Sequence, residues 1–315
     1  RARSGLFRDP RVSRSAVART ASGAGGAYSS HAAENAEAAG TSVEGQGMLS
    51  PSSSSESSES VFNGSGAGTS SEPVTDEKLE TILKQVQSQL PAENGTWAVF
   101  ISDLVNGTEG SLNDQKMQAA SLIKLYIMGA VYENYDQITG QYGRDSVDSN
   151  LYSMITVSDN DAANTLTTYL GGGDSAAGMQ AVNSFCQAHG YDQTHMGRML
   201  LASNENDDNY TSVGDCGHLL QEIYKQDTSG YTHATDMFNL LKAQTRCNKI
   251  PAQLPEGVKT ANKTGELDNV ENDAGIIYDS KNDVVIVFMS QNLSSAGSAQ
   301  NTIATLSRTI YDYYN

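Results

Sequence analysis

The sequence is short of cations, aromatic rings, cysteine and long apolar runs, and each shortage excludes something. Twenty Lys and Arg face 37 Asp and Glu, a formal net charge of −17 at pH 7. A chain that acidic repels the phosphates of nucleic acid and of an anionic membrane face, so neither is expected as a partner. Hydrophobic residues make up 38% and aromatics 7%, and no apolar run reaches the roughly 20 residues that a bilayer span needs. The three cysteines (Cys186, Cys216 and Cys247) form no Cys-x-x-Cys, and the five histidines form no His-Glu-x-x-His. No metal site and no cofactor are therefore expected. An odd number of cysteines allows one disulfide at most, and Cys216–Cys247 is the expected pair.

Much of the polarity is local. Residues 1–72 combine a basic start, Ala/Gly/Ser-rich text and the tract Ser50-Pro51-Ser52-Ser53-Ser54-Ser55-Glu56. Such composition cannot bury enough apolar surface to offset chain entropy, so this part is expected to be a disordered tether. The chain starts at Arg1, and a signal peptide or anchor is expected upstream of it.

Residues 73–315 read as one folded domain. Leu79, Ile82, Leu83, Val86 and Leu90 recur at helical spacing and Pro91 ends that helix. Trp97 to Val105 reads as a strand, with a hairpin turn at Asn106-Gly107. A helical region is expected from about 148 to 242, broken at Gly171-Gly172-Gly173 and Gly190. Strands follow at Lys263, at Ala274 to Tyr278 and at Val284 to Met289, then a final helix carrying Ile303, Leu306 and Ile310. That order gives an α+β fold: terminal helices on one antiparallel sheet, an all-helical insert, and an active site in the cleft between them.

Three polar motifs stand out. Ser121 and Lys124 are the only strongly polar side chains in an apolar helical run between Ala119 and Glu133. Three residues apart on a helix they share a face. Burial lowers a lysine's pKa, and a neutral lysine beside a serine hydroxyl is a general base beside a nucleophile. The bland alternative is a capping serine and a snorkelling lysine. Ser158-Asp159-Asn160 lies between an apolar stretch and a helix start, where an N-cap is the ordinary meaning. Lys263-Thr264-Gly265 opens a strand, putting a cation and a donor on one rim, with a glycine that lets a ligand approach the backbone.

Ser-x-x-Lys, Ser-Asp-Asn and Lys-Thr-Gly in this order resemble the motif set of class A β-lactamases and penicillin-binding proteins. The resemblance extends to Gln118-Ala119-Ala120, to Met154 through Asn164 with Leu170-Gly171-Gly172, and to Asn272-Asp273-Ala274, and it covers roughly residues 75–315. It implies an acyl-enzyme serine hydrolase with Ser121 as nucleophile and Lys124 as its base. Ser158 would bridge protons between Lys124, Lys263 and the leaving nitrogen, and Lys263 and Thr264 would line the pocket for a substrate carboxylate. Asn160, Thr264, Gly265 and neighbouring Glu266 and Glu271 would contact substrate. The backbone N–H groups of Ser121 and Glu266 would form the oxyanion hole. The implied partner is a small β-lactam or a peptidoglycan-derived peptide, met outside the cytoplasm by a monomer tethered to the cell envelope.

Two departures qualify the resemblance. Arg198, Asn204 and Asp208 fit the family's loop pattern, but Leu200 stands where the water-activating glutamate belongs, with Glu205 the nearest substitute. Slow deacylation is expected. Glu271 precedes Asn272-Asp273 where many class A enzymes carry a carboxylate-gripping arginine, and strand alternation turns Glu266 to the face of Thr264. If both acids face the cleft they repel a substrate carboxylate and favour an amine. Otherwise Glu266 tilts outward and Glu271 pairs with a surface cation. The alternatives to a β-lactamase are a D,D-peptidase or esterase and a β-lactam or cell-wall sensor without turnover.

Overall fold

The structure is a computed structural model that describes residues 76–315; the tether expected over 1–72 lies outside them. Asp76 accepts hydrogen bonds from the N–H groups of Lys78 and Leu79 and so starts α1 (Glu77–Gln89), whose Leu79, Ile82 and Val86 are buried. β1 (Thr96–Asp103) and β2 (Thr108–Leu112) form a hairpin with Gly107 at φ +70° in the turn. After the short β3 (Met117–Gln118) comes a single 3₁₀ turn, Ala120–Leu122, which runs into α2 (Ile123–Glu133). α3 (Tyr135–Tyr142), α4 (Arg144–Thr156), α5 (Asn160–Leu170) and α6 (Ser175–Ala188) complete the first helical group. β4 (Tyr210–Thr211) pairs with β3, and α7 (Val213–Tyr224) and α8 (Ala234–Lys242) follow. β5 (Lys259–Leu267), β6 (Val270–Tyr278), β7 (Val284–Gln291) and α9 (Ala296–Tyr314) close the domain.

The five long strands make one antiparallel sheet in the order β2-β1-β7-β6-β5. Both faces of its central strands are covered, which is why β1 and β7 read as unbroken apolar runs rather than alternating ones. Alternation appears in where each residue goes. Val99, Ile101, Val284, Ile286 and Phe288 pack with α1 and α9 residues, including Ile82, Ile303 and Ile310. Their neighbours Ala98, Phe100, Val285, Val287 and Met289 join the larger core of the helical insert. At the centre of that core is α2, buried at every position from Ile123 to Tyr132. A helix apolar all round has no solvent face to offer, and interior placement is its stable state.

The structure departs from the sequence expectations in three places. The helical block is interrupted by an irregular stretch over 190–209, between α6 and β4. β6 begins at Val270, four residues ahead of the apolar run, because Glu271, Asn272 and Asp273 are buried polar residues with partners. The expected Cys216–Cys247 disulfide is absent, and all three cysteines are free. Cys216 points into the core, where the Tyr126 hydroxyl donates to its Sγ at 3.4 Å, whereas Cys247 is exposed beyond α8.

The α5–α6 crossing depends on Gly178. A Cβ there would lie 1.8 Å from the Thr167 carbonyl oxygen, so the two helices meet backbone to backbone. Gly178→Ala is expected to destabilise the domain by about 3 kcal/mol through overpacking, read as a lowered midpoint in urea unfolding; an unchanged midpoint would count against the crossing.

Candidate active site

Four chain segments converge on Ser121. The 3₁₀ turn carries the serine itself, so the hydroxyl precedes α2 rather than standing inside a helix as its spacing suggested. The turn is held by Asn272, whose Nδ2 donates to the carbonyls of Gln118 (2.9 Å) and Ala119 (3.1 Å). Gly265 on β5 closes it from the other side. A Cβ on Gly265 would sit 2.8 Å from the Ala119 oxygen and 3.2 Å from the Ser121 nitrogen. The glycine lets the nucleophile turn, rather than a ligand, approach the strand.

Lys124 is fully buried. Its Nζ lies 3.0 Å from Ser121 Oγ, 3.1 Å from Ser158 Oγ, 2.7 Å from the Ser158 carbonyl oxygen and 2.7 Å from Asn160 Oδ1. Burial pulls its pKa down to about 8; the Asp159 charge opposes this and the Arg246 charge adds to it. The two shortest contacts go to oxygens that can only accept. A neutral amine gives its two N–H groups to them, which turns its lone pair toward the two hydroxyls. That is the geometry of a base set to take a proton from Ser121.

Ser158-Asp159-Asn160 does two jobs. Asp159 is an N-cap, accepting the Ala162 N–H at 2.7 Å to start α5. Ser158 adopts a left-handed backbone, φ +62°, which aims both its hydroxyl and its carbonyl at Lys124. Lys263 completes the chain, donating to Ser158 Oγ at 2.9 Å and to the Thr264 carbonyl at 2.7 Å. Burial holds the Lys263 pKa well below the usual lysine range, with the Lys124 and Arg246 charges adding to the effect. A hydroxyl between two depressed lysines can pass a proton either way.

The site opens into a cleft of about 560 Å³, lined by Ser121, Asn160, the loop Arg198–Asn204 and the β5–β6 turn from Glu266 to Asn269. The loop is fixed at both ends. Arg198 Nε donates to Asp208 at 2.6 Å, and Gln118 holds the other Asp208 oxygen at 3.0 Å. Asn164 clamps the backbone of Leu200 from both sides, accepting its N–H at 2.8 Å and donating to its carbonyl at 3.0 Å. Leu200 is thus presented to the cleft, while Glu205 is exposed and outside its lining. Among the described residues lining the cleft, the carboxylates are Glu266 and Asp268.

The two glutamates part company. Glu266 lines the cleft as alternation implied, but Glu271 is buried beneath it, its side chain 4% exposed. Between them lies Lys249, a residue the sequence reading passed over, with a fully buried side chain. Its Nζ donates to Glu271 at 2.7 Å and to Glu266 at 2.9 Å, and Gln300 donates to the remaining Glu271 oxygen at 2.8 Å. Arg246 approaches the outer oxygen of Glu266 at 3.5 Å. Burial pushes the Glu266 pKa up, but Lys249 and Arg246 outweigh it and hold the carboxyl below the usual range. Glu271 is therefore not a substrate contact, and its cation is a buried lysine rather than a surface one. The expected repulsion of a carboxylate fails for the same reason: each acid has its counter-charge.

A sheet with terminal helices on one face and a helical insert on the other, and a cleft-lining serine hydrogen-bonded to a buried lysine at their junction, define a serine hydrolase of the β-lactamase type. The sequence profile of the beta-lactamase enzyme family matches residues 78–145 and 141–314, and the chain belongs to that family. The fold is shared with a beta-lactamase from Sphaerobacter thermophilus at 22% identity and TM-score 0.63, covering 74% of this chain and 96% of that one. It is shared also with a beta-lactamase from Chitinophaga pinensis at 19% identity and TM-score 0.65, covering 75% and 100%. PBP-A aligns at 22% identity and TM-score 0.65, covering 74% and 96%. No curated protein sequence matches the chain.

The Lys249 arrangement gives a stability prediction. Lys249→Met leaves the buried Glu271 carboxylate without its cation and is expected to cost about 3–5 kcal/mol, whereas removing both charges with Glu271→Leu recovers most of it. Urea unfolding of the single and double variants measures this; a double variant as weak as the single would refute the pairing.

Proposed function

We propose that the domain forms an acyl-enzyme on Ser121 with β-lactams or with related amides of cell-wall peptides, and releases the acyl group slowly. The carrying observation is the contrast within one cleft: a continuous Ser121–Lys124–Ser158–Lys263 chain, and Leu200 clamped where a water-activating acid would stand.

In acylation, neutral Lys124 takes the Ser121 proton as Oγ attacks the amide carbonyl carbon. The backbone N–H groups of Ser121 and Glu266 receive the developing oxyanion. Ser158 gives its proton to the leaving nitrogen and is resupplied from Lys124, the C–N bond breaks, and an ester remains on Ser121. Asn160 supports this twice: Oδ1 accepts from Lys124, and Nδ2, without a protein partner among the described residues, is free to hold the substrate's acylamide. Deacylation needs a water to attack that ester, and neither Leu200 nor exposed Glu205 provides a base for it. Support for β-lactam chemistry on this fold comes from PBP-A, a leucine-to-glutamate mutant of which is known as an acyl-enzyme complex with penicillin G. Peptidoglycan and β-lactams are both met outside the cytoplasm, and that is the location we assign.

The second reading, a D,D-peptidase, is favoured by β5 lying at the edge of the sheet beside the cleft. An extended peptide can pair with such an edge.

Intact mass followed after addition of penicillin G tests the main reading. A Ser121-dependent adduct is expected, absent in Ser121→Ala, persisting for minutes to hours, and turning over at least tenfold faster in Leu200→Glu. Rapid loss of the drug without an adduct would mean an unrecognised deacylating base.

The pH dependence follows from Lys124. Its active form is neutral and its pKa is about 8, so roughly one lysine in ten is competent at pH 7. Adduct formation should therefore rise about tenfold per pH unit below that value and level off above it. Stopped-flow acylation across pH 6–10 reads the limb; a flat profile would remove Lys124 as the base.

A further inference from the structure

The far end of α2 carries a second gathering of polar and aromatic groups, which the catalytic chain does not use. Tyr132 stands there, about 12 Å along the helix from Lys124. Three cavities of about 370, 380 and 350 Å³ share His233 at this end, and none of their lining residues lines the catalytic cleft. Their walls hold the carboxylates of Glu133, Asp136, Asp148, Asp227 and Asp236 against a single arginine, Arg144, and no lysine. Among the described residues, no three acids or histidines converge closely enough to hold a metal ion. The charge therefore suits a cation larger than a metal.

The aromatic floor is fixed. His233 takes a left-handed backbone, φ +68°, directly before α8, and its ring meets Tyr132 and Tyr135 at centroid distances of 5.1 and 4.9 Å. Tyr132 and Tyr135 stack at 5.5 Å. Arg144 lies 5.2 Å from the Tyr135 centroid, so one cation already rests on this cluster by its π face.

Tyr132 is the unsatisfied member. It is only 7% exposed and lines two of the cavities, yet its hydroxyl has no protein partner among the described residues. Burial, with the charges of Asp236 and Asp148 adding to it, holds its pKa well above the ordinary tyrosine range, so the hydroxyl stays neutral with lone pairs to offer. A polar group left in that state costs free energy that a bound donor recovers. The acids beside it are only partly engaged. Asp148 accepts from the Tyr135 hydroxyl and Asp236 meets His233 at 2.9 Å, but neither pairs with a lysine or arginine among the described residues. Tyr152, 55% exposed, completes the wall of the 350 Å³ cavity.

We infer that this cavity, between the end of α2 and helices α3, α4 and α8, binds a primary alkylammonium group. The three N–H donors of the ammonium go to the Tyr132 hydroxyl oxygen, to Asp148 and to Asp236, and the alkyl stem lies along the Tyr152 ring. The same chemistry is offered by a lysine-like side chain on a peptide and by a free diamine. The site is separate from the cleft, and its test reads binding alone, so it stands or falls independently of the acyl-enzyme reading.

Backbone amide NMR shifts of the isotope-labelled chain are followed as one of four compounds is added: Nα-acetyl-lysine methylamide, 1,5-diaminopentane, tetramethylammonium or Nα,Nε-diacetyl-lysine methylamide. Saturable shifts are expected around Tyr132, Asp148 and Asp236 with one or both primary ammonium compounds, and the tighter of the two identifies the source, side chain or free diamine. Tetramethylammonium keeps the charge without the donors, and the diacetyl compound keeps the stem without the charge; each should bind at least threefold more weakly. Asp148→Asn and Asp236→Asn lie at exposed positions and retain an oxygen for Tyr135 or His233, and each is expected to weaken binding at least threefold, as is Tyr132→Phe. Glu256→Gln removes the same charge outside the three cavities and should leave affinity unchanged. Equal binding of either control compound, or equal weakening by Glu256→Gln, overturns the inference. So does the absence of saturable shifts at these residues with both primary ammonium compounds.

Discussion

Everything in the active site depends on the burial of one ammonium group. Lys124 sits on a helix buried at nearly every position, where water cannot stabilise its charge. Desolvation brings its pKa to about 8, and the acceptors around it are arranged so that losing the proton leaves the lone pair beside Ser121. The rest of the fold keeps that environment dry and its partners in place. α5 begins at Asp159 so that Ser158 and Asn160 reach back to the lysine. Gly265 and Asn272 hold the turn that carries the serine. At longer range the Arg246 charge disfavours a charged Lys124, and the Lys124 and Arg246 charges disfavour a charged Lys263.

Concentrating cations in this way requires acids nearby, and their depth decides what each does. Glu271 is deep and fixed, bonded to Lys249 and Gln300. Asp273 on the same strand is fully buried, and burial raises its pKa to about 6 against the opposing pull of Lys249, Asn262 and the Ile250 N–H. Glu266 is shallow, a third exposed, with one oxygen on Lys249 and the other facing Arg246. The buried acids therefore hold the scaffold of β5 and β6 together, and of these three only Glu266 meets the cleft. Coulomb attraction at about 3 Å in a partly dry site is strong enough to fix this order.

The hydrogen-bonded chain of Ser121, Lys124, Ser158 and Lys263 was legible in the sequence and its surroundings were not, for physical reasons. Ser121, Lys124, Ser158 and Lys263 are polar residues set against apolar segments, and such residues are costly unless they meet partners. The antiparallel sheet with terminal helices was legible from segment order and from the runs at Val284 to Met289. Glu271 was misjudged because a match to a family position places a residue in the chain without saying what covers it. Lys249 lies in a polar, aperiodic stretch 17 and 22 residues from its two partners, where nothing local marks it as buried. The left-handed backbones at Ala120 and Ser158 were illegible, since neither residue type favours that conformation. The disulfide failed because proximity in sequence carries no information about which way a helix faces.

The exposure of the three thiols has a practical consequence. Cys186 and Cys216 are buried, and burial raises both their pKa values to about 12, which leaves them inert to alkylating reagents at neutral pH. Cys247 is exposed and follows Arg246 directly in the chain. A maleimide dye added to the unaltered domain therefore attaches at a single point, one residue from Arg246. Its emission would report occupancy of the cleft in real time, without an engineered cysteine and without disturbing the lysine pair beneath.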